Sequence, residues 1–360
     1  MAMKKVLSVI IPTYNMESLL AQSLDSLVGS PVIDRVEVVV VNDGSRDGSL
    51  AIATHYAERY PNSVRVIDKP NGNYGSTINA ALPTLRGEFV KVLDADDRFD
   101  CAELERAVDA LEGLVGADVV VMPYVEVDGR GAHHRVDYNL YSRKVYATGQ
   151  LYDAEQVFAD GAIRFFAMHA LAYRTELLRT MGYRQSEGIS YTDQQWTFFP
   201  MFFVERMAFV DTPLYIYNLA REGQTMDAAV QLRSIGQLES VVVSLAEYYT
   251  LHVEEVASDE RKHFLQGVVR RRMGTVCRKY MLDMGDEQFA ESNFEATFER
   301  LSSLAEQCGI SPLRCYVNGL LRVDLLGRWR RRAERYPSFV RCLLRWADSV
   351  MVRLHALLFR

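Results

Sequence analysis

The first hundred residues alternate short apolar runs with segments whose apolar positions recur at helical spacing. Val6–Ile11 is an apolar run, with Ser8 as its one polar residue, closed by Pro12-Thr13-Tyr14-Asn15. Met16–Val28 places Leu19, Leu20, Leu24 and Leu27 on one face and stops at Gly29, which predicts a helix. Val36–Val41 is β-branched apart from Glu37, as expected of a strand covered on both faces. The alternation continues through a helix over Ser49–Tyr60, a strand over Val64–Ile67, a helix over about Tyr74–Leu85 and a strand over Glu88–Leu93. A helix over Ala102–Leu114 and a strand over Asp118–Met122 follow. Strands separated by helices of this length need crossover connections, so the pattern predicts an α/β fold with a mainly parallel sheet.

In such a sheet, ligands bind beyond the carboxyl ends of the strands. Four polar clusters fall there: Thr13-Tyr14-Asn15, Asn42-Asp43-Gly44-Ser45, Lys69–Tyr74 and Asp94-Ala95-Asp96-Asp97. Topology alone therefore predicts that they meet on one edge. Val125–Tyr217 is irregular and aromatic-rich. From about Asp227 the pattern is helical, over 227–252, 258–284, 291–307 and 312–358. A length of 360 residues suits two domains, expected at 1–225 and at 226–360.

Charge divides unevenly along the chain. Residues 322–360 hold ten Arg, no Lys and three acidic residues, so the formal charge of −6 splits into +7 here and −13 elsewhere. The acidic body argues against a general nucleic-acid binder. Within the tail, Phe339, Leu343, Trp346, Val350, Leu354 and Leu357 share one helical face among arginines. Three destinations stay open for that face: an anionic membrane surface, the helical domain itself, or a second subunit in a homodimer. The five cysteines form no CxxC pair, which argues against a structural zinc site or a disulfide framework. The apolar run after Lys4 and Lys5 is too short for a signal peptide and no run reaches 18 apolar residues. The expected location is the cytoplasm, with attachment at the inner face of the cell membrane as one destination of the tail.

The sharpest chemical signal is Asp94-Ala95-Asp96-Asp97. Two carboxylates about 5 Å apart repel by about 3 kcal/mol at an effective dielectric near 20. A divalent cation with a preference for oxygen would relieve this and bring diphosphate oxygens with it. Asp96 or Asp97 would equally serve as the N-cap of the helix near Ala102. Asp43, at the end of an apolar strand, can accept from a base N–H or a ribose hydroxyl, and Asn-Asp-Gly-Ser is also an ordinary turn sequence.

Taken together with Ser8–Asn15, Asn71–Leu82 and Gly87–Asp97, these segments resemble the family 2 glycosyltransferases, inverting enzymes of the GT-A fold. The resemblance runs in order and continues more loosely to about Thr225. It implies that Pro12, Thr13 and Tyr14 line the nucleotide-base pocket and that Asp43 bonds the base. Asn71 and Asn79 belong to the family's Asn-Gly donor segment, in which Ile78 occupies a position that often carries Arg. Asp94 and Asp96 match its DXD-type motif, Asp96 as the leading metal ligand, Asp97 as a second, and Asp94 toward ribose or metal-bound water. Asp193, in Tyr191-Thr192-Asp193-Gln194, matches the general base, with Thr192 where an acidic neighbour is usual. Thr192 or Asp193 would also cap a helix. Arg221 and Gln224 match a segment that closes over the donor diphosphate, and His169 lies near the acceptor side, where a lone His also reads as packing.

The resemblance thus implies inverting transfer of a sugar from a nucleotide-sugar, most commonly a UDP-sugar, with Mn²⁺ or Mg²⁺. The acceptor would be a hydroxyl of a glycan or lipid-linked molecule in bacterial cell-surface polysaccharide synthesis. Two other readings stand beside it: a non-catalytic nucleotide-sugar-binding protein of the same fold, and a nucleotidyltransferase. The latter usually shows a Gly-rich phosphate loop where this chain has Pro12-Thr13-Tyr14-Asn15.

Overall fold

In the computed structural model the chain divides into two units, Met1–Glu222 and Gly223–Arg360. The structure describes residues 4–139, 142, 144–219, 228–310, 342, 343 and 346. Arg221, Gln224 and nearly all of the amphipathic tail lie outside these residues.

The first unit runs β1 (Leu7–Thr13), α1 (Leu20–Val28), β2 (Val36–Asp43), α2 (Ser49–Arg59), β3 (Val64–Lys69), α3 (Asn73–Ala81) and β4 (Phe89–Val92). It continues with β5 (Arg98–Phe99), α4 (Cys101–Gly113), β6 (Val119–Val121), β7 (Tyr124–Val127), β8 (His133–Val136) and β9 (Leu151–Asp153). It ends with α5 (Ala154–Ala159), β10 (Leu171–Arg174), α6 (Thr175–Thr180), α7 (Asp193–Phe198), β11 (Arg206–Phe209) and β12 (Tyr215–Asn218).

Eight strands form the main sheet in the order β3-β2-β1-β4-β10-β6-β11-β9. The pairs β3/β2, β2/β1, β1/β4 and β6/β11 are parallel, as the crossover pattern requires. Every residue of β1 and β2 is buried, which explains their unbroken apolar runs. The chain order reverses direction across the sheet at β1, between β2 and β4, which is where an α/β sheet opens a crevice at its carboxyl edge. The antiparallel insertion of β10 between β4 and β6 was not legible, because four residues carry no measurable period. Part of the irregular aromatic stretch resolves into a second sheet, β5-β12-β7-β8, that places Tyr215 and Tyr217 beside the Asp94–Asp97 turn.

Three element boundaries differ from expectation, each for a local reason. The helix expected from Met16 starts at Leu20, because the Met16 and Glu17 amides donate to Ser49 Oγ (2.7 Å) and Asp47 Oδ2 (3.0 Å) instead. α3 stops at Ala81 and passes into a 3-10 turn over Leu82–Thr84, where Pro83 has no N–H to continue it. The cap of α4 is Asp100, which accepts from the Ala102 and Glu103 amides, so neither Asp96 nor Asp97 performs that role.

Glu37 is the charge within the apolar run of β2, with its side chain fully buried. It accepts from Ser8 Oγ (2.5 Å), the Arg86 amide (2.7 Å), Arg86 Nε (2.8 Å) and Arg65 Nε (2.9 Å). Burial by itself would raise this carboxyl, but those donors outweigh it and bring the pKa down to about 2. The stabilisation is therefore complete above the unfolded value near 4.5 and is lost as pH falls toward 2. Replacing Glu37 by Gln is expected to cost about 3–5 kcal/mol at neutral pH, the usual result of breaking a buried pair. Chemical denaturation at pH 7 and at pH 3 checks this, since the gap between wild type and variant should narrow in acid. An equal gap at both pH values would show that charge is not the cause.

The second unit is helical: α8 (Ala228–Arg233), α9 (Ile235–His252), α10 (Asp259–Arg278), α11 (Asp286–Glu291) and α12 (Phe294–Gln307). Ser258 caps α10 by accepting from the Arg261 amide. α9 packs on α10 and α12, burying Val241, Leu245 and Ala246 with Leu265, Val269 and Leu301. No helix among the described residues is long and apolar enough to cross a membrane.

Candidate functional site

The four polar strand ends meet, and hydrogen bonds join them in sequence. The β1 loop reaches the β2 loop through Asn15, whose amide donates to Ser45 Oγ (3.0 Å) and whose Oδ1 accepts from the Arg46 amide (2.8 Å). The β2 end joins the β3 end through Asn42 Nδ2 to Asp68 Oδ1 (2.7 Å) and Asn71 Nδ2 to the Asp43 carbonyl (3.0 Å). Gly44 makes this possible: its φ is +70°, and a Cβ there would sit 2.9 Å from the Asn71 nitrogen. The β3 end joins the β4 end through the Tyr74 hydroxyl, which donates to Asp94 Oδ1 (3.0 Å).

Asp43 is buried and held on one side only. Its Oδ1 accepts from Lys69 Nζ (2.6 Å), the Gly72 amide (3.0 Å) and Ser76 Oγ (3.3 Å). Oδ2 has no hydrogen-bond partner among the described residues. The carboxylate is thus fixed in direction, with one oxygen left as an acceptor. Beside it, Pro12 and Thr13 are buried and Tyr14 is exposed.

The Asp94–Asp97 turn is pinned by Tyr215. Its hydroxyl accepts from the Asp94 amide (3.2 Å) and donates to Asp97 Oδ2 (2.6 Å), while Asp97 Oδ1 accepts from the Asn218 amide (2.8 Å). Burial, then the Asp97 and Asp96 charges, push the Asp94 carboxyl well above its usual range. Asp94, Asp97 and His169 each bring one ligand atom within 4.8 Å of the others. Asp96, the expected leading ligand, is not in that cluster, although its charge reaches Asp94 and Tyr217. The reason is the turn: the chain folds back after Asp94, with the Asp97 amide donating to the Asp94 carbonyl, so Asp97 rather than Asp96 closes on Asp94.

His169 is stacked on Tyr217 (4.3 Å between ring centres) and packs edge-on to Tyr215 (4.6 Å). Burial and then the Lys91 charge hold its imidazole at a pKa of about 3, so the ring is neutral at pH 7. Its buried Nδ1 has no hydrogen-bond partner among the described residues. Behind it, the fully buried Lys91 of β4 donates to the His169 and Leu171 carbonyls (2.5 and 3.2 Å), and burial lowers its ammonium to about 7. Two carboxylates and a neutral imidazole with an unsatisfied nitrogen form a donor set that suits a divalent cation.

Asp193 is the first residue of α7 and is half-buried. Thr192 holds the N-cap position without a side-chain capping bond, so its hydroxyl does not act as the helix cap. The Asp193 charge adds to burial in raising Tyr74, Asp94 and Tyr217, which places it at the same acidic cluster. Asn79, expected at the donor, has partners in the segment before α7. Its Oδ1 accepts from the Gln185 amide and its Nδ2 donates to the Gln185 carbonyl and Glu187 Oε1, so the amide is engaged with the loop before α7.

Residues 8–182 match the family model for glycosyl transferase family 2. That stretch of the first unit is a family 2 glycosyltransferase domain. The minor teichoic acid biosynthesis protein GgaB of Bacillus subtilis is 29% identical over 140 residues, 38% of this chain and 16% of that protein. The poly(ribitol-phosphate) beta-N-acetylglucosaminyltransferase TarS of Staphylococcus aureus is 27% identical over 264 residues, 71% of this chain and 44% of that one. The chain thus spans less than half the length of either relative. The crystal structure of S. aureus TarS 1–349 in complex with UDP-GlcNAc has a TM-score of 0.60 and 20% identity, covering 92% of this chain and 93% of that one. This likeness carries the GT-A-type fold.

Within the glycosyltransferase domain, the groups least visible in sequence are Lys91 and Tyr215. Lys91 had one signal, a charge in the middle of a buried strand next to an acidic turn. Tyr215 had none, since it comes from a strand of the second sheet that no period announces.

Proposed function

We propose that the protein transfers a sugar from a UDP-sugar to an acceptor hydroxyl with inversion, in bacterial cell-surface polysaccharide synthesis. The observation that carries this reading is one sheet edge holding three different groups: the directed Asp43 acceptor, the Asp94–Asp97–His169 donor set, and Asp193. A purely binding protein has no use for the third.

Asp43 Oδ2 suits a base that offers a ring N–H, as uracil does at N3 and cytosine does not. Pro12, Thr13, Tyr14 and Asn71 form the surroundings of that contact. Mn²⁺ or Mg²⁺ held by Asp94, Asp97 and His169 would supply positive charge to the departing diphosphate. Asp96 adds negative charge at the rim of that set. Arg221 and Gln224 belong to the segment assigned to the diphosphate by resemblance. Asp193 accepts the proton of the acceptor hydroxyl as the new bond to the anomeric carbon forms and the bond to the diphosphate oxygen breaks. A single base on the acceptor side gives inversion. The relatives support a glycan or lipid-linked acceptor, since TarS is named for transfer to poly(ribitol-phosphate) and GgaB for minor teichoic acid biosynthesis.

The test is a panel of labelled UDP-, CDP-, GDP- and dTDP-sugars incubated with the protein and Mn²⁺, scored for hydrolysis or transfer. Turnover of a UDP-sugar is expected, with the CDP form inert. Tight UDP binding without turnover of any donor would favour the non-catalytic reading. Release of pyrophosphate from a nucleoside triphosphate and a sugar phosphate would favour the nucleotidyltransferase.

A further inference from the structure

Tyr191, two residues before Asp193, sits at φ +67°, a left-handed conformation that persists only where surrounding contacts over-determine it. Upstream in the same loop, residues 185–188 are held by α3 and its N-cap. Asn79 brackets the peptide of Gln185, accepting from its amide and donating to its carbonyl, both at 2.9 Å, and also donates to Glu187 Oε1 at 2.8 Å. The next residue is held from the other side by the fully buried Gln195 of α7. Its Oε1 accepts from the Ser186 amide and its Nε2 donates to Ser186 Oγ, both at 2.8 Å. Gly75 lets the two segments close: a Cβ there would lie 2.1 Å from the Ser186 carbonyl oxygen. The Gly188 amide completes the seam by donating to the Gly72 carbonyl (2.8 Å).

The path is therefore continuous, from Asn79 on α3 through Gln185 and Ser186 to Gln195, two residues along α7 from Asp193. The opposite end of α3 begins at Gly72, whose amide holds Asp43 Oδ1. One short helix thus fixes the carboxylate assigned to the nucleobase at its start and the loop of the proposed base at its end.

We propose that Asn79 is a positioning residue for Asp193, acting through the Gln185–Ser186 peptide and Gln195, and not a donor-binding residue. The proposal deepens the reading of Asp193 as the base and rests on it. Loss of the bracket lets α7 drift while the donor side stays intact. Misplacement by a fraction of an ångström in a proton-transfer geometry costs about tenfold in rate.

The experiment is a double-mutant cycle on the full chain. Asn79→Ala is expected to lower kcat about tenfold with KM for the UDP-sugar and UDP affinity unchanged. In the Asp193→Asn background the same substitution should have no further effect, because the group it positions is already gone. A full tenfold loss in both backgrounds, or a rise in KM for the donor, overturns the proposal. So does a lower melting temperature with unchanged kcat, which would mark a purely structural bond. If Asn79→Ala does not fold, Gln195→Met cuts the same path at its far end and is read in the same cycle. Near-normal turnover of Asp193→Asn alone defeats the base reading and this proposal together, whereas an inactive Asp193→Asn with a normal Asn79→Ala defeats this one only.

Discussion

Replacing Asp193 by Asn is expected to lower turnover at least ~100-fold while leaving donor affinity nearly unchanged. The side chain keeps its shape and loses only the ability to accept a proton at neutral pH. The fold should tolerate the change, because the carboxylate is half-buried at the start of α7 and the N-cap position belongs to Thr192. α7 itself is anchored by other groups: Tyr173 donates to the Trp196 carbonyl at 2.9 Å, and Gln195 binds Ser186. Donor contacts should survive, since Asp43 and the Asp94–Asp97 turn are held by Lys69, Gly72, Tyr215 and Asn218. Initial rates with a labelled donor, alongside UDP binding by calorimetry, separate the two quantities. Near-normal turnover removes Asp193 from the mechanism. A parallel loss of UDP binding would instead mean that Asp193 supports the donor side.

How much of this site the sequence disclosed depends on the distance over which each contact acts. The parallel strands β1 to β4 were legible because apolar runs alternate with helical segments there, β1 and β2 being long and wholly buried, and their carboxyl ends carried the polar clusters directly. Asp43, Asp94 and Asp97 stood out as acidic residues at strand ends, and Asp193 only through its place in the family's pattern. The finer roles depended on contacts across 20 to 120 positions, which no local pattern records. Asn79 could be placed at the donor only by its position in a motif; its partners at 185 and 187 were invisible. Asp96 was preferred for its place in the family's DXD-type motif, whereas the strand ends at Val92 and the turn after it brings Asp97 beside Asp94. His169 read as a packing residue among apolar neighbours, and it does pack, but against three tyrosines that leave Nδ1 unsatisfied.

That difference between Asp96 and Asp97 sets the second large effect. Asp97→Asn is expected to abolish the Mn²⁺-dependent part of stabilisation by UDP. At a ligand concentration about a hundredfold above Kd, binding stabilises a protein by about 2.7 kcal/mol, enough for a clear rise in melting temperature. The substitution removes one of two carboxylates from a three-residue donor set and weakens the partnership with the Tyr215 hydroxyl and Asn218 amide. His169→Ala should produce the same loss through the imidazole, while Asp96→Ala should keep part of the shift because its carboxylate lies outside the cluster. Asp193→Asn should keep all of it. The measurement is the melting temperature of each variant with UDP, with Mn²⁺ and with both. The metal-free protein should melt no lower in Asp97→Asn than expected for one lost hydrogen bond, about 1 kcal/mol, because repulsion with Asp94 is relieved at the same time. A full metal-dependent shift in Asp97→Asn, with none in Asp96→Ala, would return the ion to Asp96 and remove His169 from its shell.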